Sequence, residues 1–238
     1  MNVVITQPML FPWVGLLEQI VLADVLVNYA DVQFSKGSFT NRVQIKEPAG
    51  TRWMTVPLEK FHLGARIDEV KPAVNVDWRA QHLRMLEQAY EAAPYAGDML
   101  ALVGTVYAVE YPNMCALALA SMRAVCGYLG IELDRKFVDS PALNIPGRNT
   151  DRMLAIVRKL QGTKYITGHG AKNYLAHAEF EQHGITVEYM NYAMRPYQQL
   201  HGAFTPFVSS LDLIANHGTA GKQYLSPQTL NWREFTHE

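Results

Sequence analysis

The opening stretch MNVVITQPMLFPWVGLLEQIVLADVLVNYAD, residues 1–31, decides the fold class. Asn2 to Thr6 is a short apolar run ended by Gln7-Pro8, Trp13 to Ala23 carries apolar residues at helical spacing, and VLVNY at 25–29 is strand-like again. Strand, helix, strand predicts a parallel pair joined by a right-handed crossover, which puts the loop from Gln7 to Gly15 at the carboxyl end of the first strand. Ligands of open α/β sheets sit at that edge.

The same rhythm returns in the second half. FVDS at 137–140 reads as a short strand or approach loop, and NTDRMLAIVRKLQG at 149–162 as an amphipathic helix with an Asn149 or Thr150 cap and Gly162 at its far end. KYIT at 164–167 is a strand, GHG a tight turn, AKNYLAHAEFEQHG at 171–184 a helix closed by Gly184, and ITVEY at 185–189 a further strand. Between the halves, DVQFSKGSFTNRVQIK at 31–46 and RWMTVPLE at 52–59 predict an extended hairpin or paired short strands, and ARIDEVKPAVNVD at 65–77 another extended piece. Trp78, His82, Leu86, Ala89 and Tyr90 form a helical stripe ended by Pro94; further helices are read over 98–111 and from Pro112 to about Gly127 or Gly130. Past Tyr189, Pro196, Pro206 and Pro227 predict a loop-rich wrap with one short helix around SSLDLIAN, where Ser209 and Asp212 have capping-box spacing. The reading is one α/β domain over 1–238, with an open, mostly parallel, Rossmann-like sheet, helices on both faces and a mostly helical insertion at about 78–130.

Composition narrows the function classes. A chain of 238 residues is long enough to bury one large core, and 49% apolar against 18% charged residues argues against disorder or a coiled coil. A net charge of -1 leaves no basic excess for nucleic acid. Cys115 and Cys126 stand eleven apart in one predicted helix, about 16 Å along its axis, too far to bridge. They read as inert core thiols. The chain starts without a basic run and cleavage site, and nowhere holds about eighteen continuous apolar residues, so the expected address is cytoplasmic, without stable membrane insertion.

Asp31, Gln33, Lys36, Asn41 and Arg42 are the densest polar cluster. Lys36 and Arg42 suit a phosphate or carboxylate, Asp31 an amine, hydroxyl or cation, and Gln33 and Asn41 neutral contacts; a solvated hairpin accounts for the same composition equally well. In TGHGAKNYL at 167–175, backbone amides from Gly168 to Lys172 face the start of a predicted helix, and His169 is a candidate acid or base. That turn is neither a Walker A loop nor a dinucleotide fingerprint, and its glycines also serve a plain tight connection. No HExxH, cysteine pair or calcium loop marks a metal site, and no GxSxG elbow marks a nucleophilic serine; a zinc site built from distant residues stays open. Tyr197 and Phe204 belong to a scatter of aromatics that suits either a stacking platform or loop packing.

ITQPMLFPWVG at 5–15, LADVLVNYADVQFSKGSFTNRVQIK at 22–46, WMTVPLE at 53–59, YITGHGAKNYL at 165–175 and YQQLHGAFTPFVSSLDLIANHG at 197–218 together resemble the WbqC-like protein family. Members are associated with gene neighbourhoods for cell-surface polysaccharides and specialised small molecules and have been proposed as transferases. The resemblance implies a first loop of Gln7, Pro8, Pro12 and Gly15 and a polar signature of Asp31, Gln33, Phe34, Lys36, Asn41 and Arg42. It also implies a turn of Thr167, Gly168, Gly170, Ala171 and Tyr174, and a carboxyl-terminal pattern containing Tyr197, His201, Phe204, Ser209 and Asp212. A larger, often basic residue is expected where Gly37 stands.

With this family signature, the expected activity is transfer of an acyl, aminoacyl or related group onto an amino sugar or comparable amine. Asp31 and His169 are the catalytic candidates. Gln7, Gln33, Lys36, Asn41, Arg42, Gly168, Gly170, Tyr174, Tyr197 and His201 are the substrate-binding ones. The partners are a small-molecule substrate and a carrier of the donor group; homo-oligomerisation stays open and no cofactor is assigned. The first loop also resembles that of nucleotidyltransferase-like α/β folds, without their histidine pair, so a nucleotide-binding enzyme is one alternative. A non-catalytic ligand-binding or scaffold subunit is another.

Overall fold

The computed structural model describes residues 1–237. Its first half contains β1 (Asn2–Thr6), α1 (Val14–Leu22), β2 (Val25–Asn28), β3 (Arg42–Glu47), β4 (Gly50–Thr55), α2 (Trp78–Tyr90), α3 (Ala96–Tyr107) and α4 (Met114–Tyr128). The second half contains β5 (Phe137–Asp139), α5 (Ser140–Leu143), α6 (Asn149–Lys159), β6 (Lys164–Thr167), α7 (His177–Gln182), β7 (Thr186–Met190), α8 (Ser210–His217), β8 (Thr229–Asn231) and α9 (Trp232–His237).

The central sheet runs β5-β2-β1-β6-β7-β8. The first five strands are parallel, and β8 closes the edge antiparallel to β7. Val3 pairs with Val25 on one side and Tyr165 on the other, so β1 is central and buried on both faces. Successive strand residues then point to opposite sides. Val4, Leu26, Ile166 and Met190 enter the core built with α1, α2, α3, α4 and α8; Val3, Val27, Tyr165 and Val187 enter the one built with α6, α7 and α9. The expected mixed α/β sheet with helices on both faces is therefore present, with parallel pairing confined to five strands and a separate antiparallel hairpin, β3–β4.

Residues 31–41 are not a strand. They form an irregular arm whose Phe34 N–H donates to Ala65 and whose Phe39 carbonyl accepts from Leu10 N–H at 3.0 Å, pinning the arm to the first loop. The helix expected over 171–184 shortens to α7, after a 3₁₀ turn at His169–Asn173. The expected side-chain cap on α6 is missing, because the Thr150 hydroxyl donates to the Tyr174 carbonyl (3.1 Å) and accepts from Ala176 N–H (3.0 Å) instead. At α8, Ser209 caps Leu211 N–H at 3.2 Å, but no reciprocal box forms, since the Ser209 N–H donates to the Gln44 carbonyl at 2.8 Å instead of to Asp212. The loop-rich wrap is present and is tied to β3 by buried Lys46, whose Nζ donates to Gln199 Oε1 (3.0 Å) and to the carbonyls of Gly202 and Ala203.

Candidate functional site

Connections from β1 pass to β2 on one side, while β6 lies on its other side, so the strand order reverses at β1. Neighbouring loops part at such a reversal and leave a crevice beyond the carboxyl ends of the strands. A cleft of about 290 Å³ lies there. Its polar lining comes from Thr6 and Gln7 after β1, Tyr29 after β2, and Tyr165, Thr167 and Tyr174 from β6 and the turn beyond it; Gly168 and Gly170 supply bare backbone. Every side chain lining it is uncharged. Burial raises the Tyr29, Tyr165 and Tyr174 hydroxyls above their ordinary range, with the Arg152 charge opposing this at Tyr29, so all three are neutral hydrogen-bonding groups near pH 7.

A charged pair stands behind Tyr29. Asp31 accepts from the Arg152 guanidinium and from the Ser140 hydroxyl, at 2.5 Å for the latter, and Arg152 lies over the Tyr29 ring at 4.8 Å. The two side chains are only 15% and 8% exposed. Burial acts to raise the Asp31 carboxyl, but the bonds from Ser140 and Arg152 and the arginine charge outweigh it and hold the group below its ordinary 3.8. Asp31 is thus an ionised, oriented carboxylate with little basicity. Next to it, Asn28 Nδ2 donates to Asp139 Oδ1 at 2.7 Å, completing a polar border along β2 and β5.

The remaining candidates separate. Gln7, Gly168, Gly170 and Tyr174 line the cleft. His169 is exposed beside it, donating Nε2–H to the Met190 carbonyl at 2.7 Å, with its ring against Tyr192 and Phe235. That bond occupies Nε2 and leaves Nδ1 as the ring nitrogen open to a ligand. Gln33 bridges to Arg66, Lys36 lies 5.8 Å from the Phe61 ring, and Arg42 stacks on Trp53. Asn41 is buried and donates to the Val56 carbonyl at 3.0 Å. Tyr197 packs against Phe204, His217 and Tyr224 in the carboxyl-terminal wrap, where His201 donates to the Ala89 carbonyl at 2.7 Å. None of these last six residues lines the cleft.

Tyr29, Tyr165, Ser140 and Arg152 escaped the sequence reading. One signal was available for Arg152: it lies four residues before Ile156, on the apolar stripe of α6, where a lone arginine implies a buried acid. Among the described residues no group of three or more His, Cys, Asp and Glu side chains is arranged to hold a metal ion. No helix there is long and apolar enough to cross a membrane.

Sheet and cleft define an α/β protein with a neutral, tyrosine-rich crevice at the carboxyl edge of its parallel strands, bordered by a buried carboxylate–arginine pair. The chain belongs to the WbqC-like protein family, whose model matches residues 7–224. It is 31% identical over 229 residues to the uncharacterized protein Rv1507c of Mycobacterium tuberculosis (strain ATCC 25618 / H37Rv), an alignment covering 94% of this chain and 97% of that one. No solved structure matches it significantly. Family membership supports a general biosynthetic, enzymatic role.

Proposed function

We propose that the chain is a transferase acting on a small polar metabolite held in the cleft, with acyl or aminoacyl transfer onto an amino sugar or comparable amine as its reaction. The observation that carries this reading is the position of an uncharged, hydroxyl-lined cleft at the reversal of strand order. Counted along the chain, the six strands run 3-2-1-4-5-6 with the sixth antiparallel, and the reversal point of an open α/β sheet is where its ligands sit.

Gln7, Thr167, Tyr29 and Tyr174 would hold substrate hydroxyls, since neutral donors and acceptors in a concave site position such a ligand without a desolvated charge. Asp31, held ionised behind Tyr29 by Ser140 and Arg152, would act on the acceptor amine through its charge at the cleft border rather than by contact. The amine would attack the donor carbonyl and form the new C–N bond as the donor's carrier leaves. Its proton would pass to His169 Nδ1 and on to the departing group. The strand order also favours a second reading, a nucleotide-binding, nucleotidyltransferase-like enzyme working in the same cleft.

Thermal-shift screening against amino sugars, acyl-coenzyme A, carrier-protein thioesters, nucleotide sugars and nucleotides identifies the ligand. The expected result is a saturable shift with an amine acceptor, weakened about tenfold or more by Gln7→Ala or Tyr174→Phe. Full turnover of the identified substrate by Asp31→Ala and by Tyr29→Phe would exclude the assigned roles, and a shift with nucleotides alone would favour the second reading.

A further inference from the structure

The outer face of the β3–β4 hairpin carries an arginine that pairs with no carboxylate among the described residues. Arg42 and Gln44 on β3 share that face with Trp53 on β4, because Gln44 is directly opposite Trp53 while Val43, Ile45 and Met54 point into the core. The Arg42 guanidinium lies over the Trp53 ring, its Cζ 3.9 Å from the centroid. Gly37 also packs against it, since an added Cβ there would stand 3.0 Å from Arg42 Nη2. None of the ion pairs among the described residues includes Arg42, and its buried Nε has no hydrogen-bond partner. The buried Ser38 hydroxyl of the same arm is also unpartnered. An arginine held between these groups and in no ion pair among the described residues suits an oxyanion, and Lys36, one residue before Gly37, is an exposed cation whose Nζ lies 5.8 Å from the Phe61 ring.

Aromatic rings surround this charge. Phe39, 39% exposed, stands 5.8 Å from the Trp53 ring, itself 37% exposed, and Phe207 is 57% exposed. Phe39, Phe207 and Gln44 meet Trp13 around a small recess of about 10 Å³. Large apolar rings left in water beside an unpaired cation fit a ligand with a flat ring at one end and an anion at the other. We infer that the hairpin face is a binding site for a nucleoside phosphate. The phosphate is taken by the Arg42 guanidinium, the base stacks on Phe39 and Trp53, and the Gln44 amide is placed to meet its polar edge. This is separate from the reading of the cleft, although Met9 lines both the cleft and the recess. An anionic membrane surface would draw on the same residue types, but an Arg42 held by Gly37 and the Trp53 ring favours a small ligand met by its fork.

Nuclear magnetic resonance on protein labelled at the tryptophan indoles tests the site, with Trp53→Phe assigning the Trp53 signal. Titration of the full chain with ADP is expected to shift that signal and saturate. Adenosine and inorganic phosphate should each bind about tenfold or more weakly than ADP, and Arg42→Lys, which keeps the charge but loses the fork, should weaken ADP by a similar factor. An unmoved Trp53 signal at millimolar ADP overturns the inference. So does equal binding of ADP and phosphate, or binding of phosphatidylserine vesicles without any response to ADP. The comparison of three ligands on the unaltered chain decides the matter even if Arg42→Lys unfolds.

Discussion

Asp31 and Arg152 are partners across 121 residues, and their geometry makes each depend on the other. Removing Arg152 leaves an ionised carboxylate in a mostly buried site with only Ser140 to satisfy it. Arg152→Ala is expected to lower stability by about 3 kcal/mol, while the apolar double variant Asp31→Leu/Arg152→Met recovers much of the loss. Urea unfolding of the two singles and the double measures this coupling. The pH dependence has a definite sign. Because the folded state holds Asp31 below 3.8, its stabilising contribution is present above that value and lost as pH falls below it. Arg152→Met should flatten that part of the stability profile. His82 acts through a different window. Burial between Tyr107 and Thr55 pushes its imidazole down to about 4, so stability associated with the neutral ring is complete above pH 6.5 and lost as pH falls towards 4. That loss is on the order of 3 kcal/mol, and His82→Gln should remove it from the pH dependence of thermal unfolding.

The join between α6 and β6 divides two duties between adjacent residues. Gly162 was expected at the far end of the helix, and the residue with positive φ there, at 56°, is Gln161. Gly162 is needed for another reason: a Cβ there would stand 2.6 Å from the Val3 side chain and 2.8 Å from that of Val157. The helix end is thus pressed against the central strand β1. Gly162→Ala is expected to cost about 2 kcal/mol through overpacking. Gln161→Gly should gain up to about 1 kcal/mol by relieving the left-handed backbone, and equilibrium denaturation of both variants reads the two effects. Gly37, where a larger residue was expected, has the opposite balance: its φ of 77° and the Arg42 guanidinium lying over it both favour glycine.

The two cores and the carboxyl-terminal wrap meet the pH scale with opposing signs. Asp212 is buried among Lys46, Tyr90, Tyr197 and Gln199. Burial raises its carboxyl, against the lowering effects of the tyrosine hydroxyls and the Lys46 charge. Its contribution is therefore complete below 3.8 and lost as pH rises through the folded value, opposite to Asp31 and His82. The thermal midpoint of Asp212→Asn, taken relative to the unaltered protein, should rise between pH 4 and 7; a constant difference would remove Asp212 from the pH response. The midpoint is the suitable observable because Asp212 on α8 faces Lys46 of the hairpin, Tyr90 of α2, and Tyr197 and Gln199 of the wrap, so its effect is felt by the cooperative unit rather than by one loop.

Periodicity made the fold class legible: the apolar runs at 2–6, 25–28 and 164–167 mark the parallel strands, and the stripe from Trp78 to Tyr90 marks the face that α2 buries. The cleft was partly legible, through Gln7 and the Gly168–Gly170 turn, because each lies just beyond a strand end and so is placed by its own neighbours. Tyr29, Tyr165 and Arg152 were not, nor was the dispersal of the 31–42 residues among the cleft border, the arm and the hairpin. Local pattern reports which residues are apolar or prone to turn, since those preferences act over a few positions. Which loops meet is set by strand order, and strand order follows from long-range packing of both sheet faces, which the periodicity of any one segment does not contain.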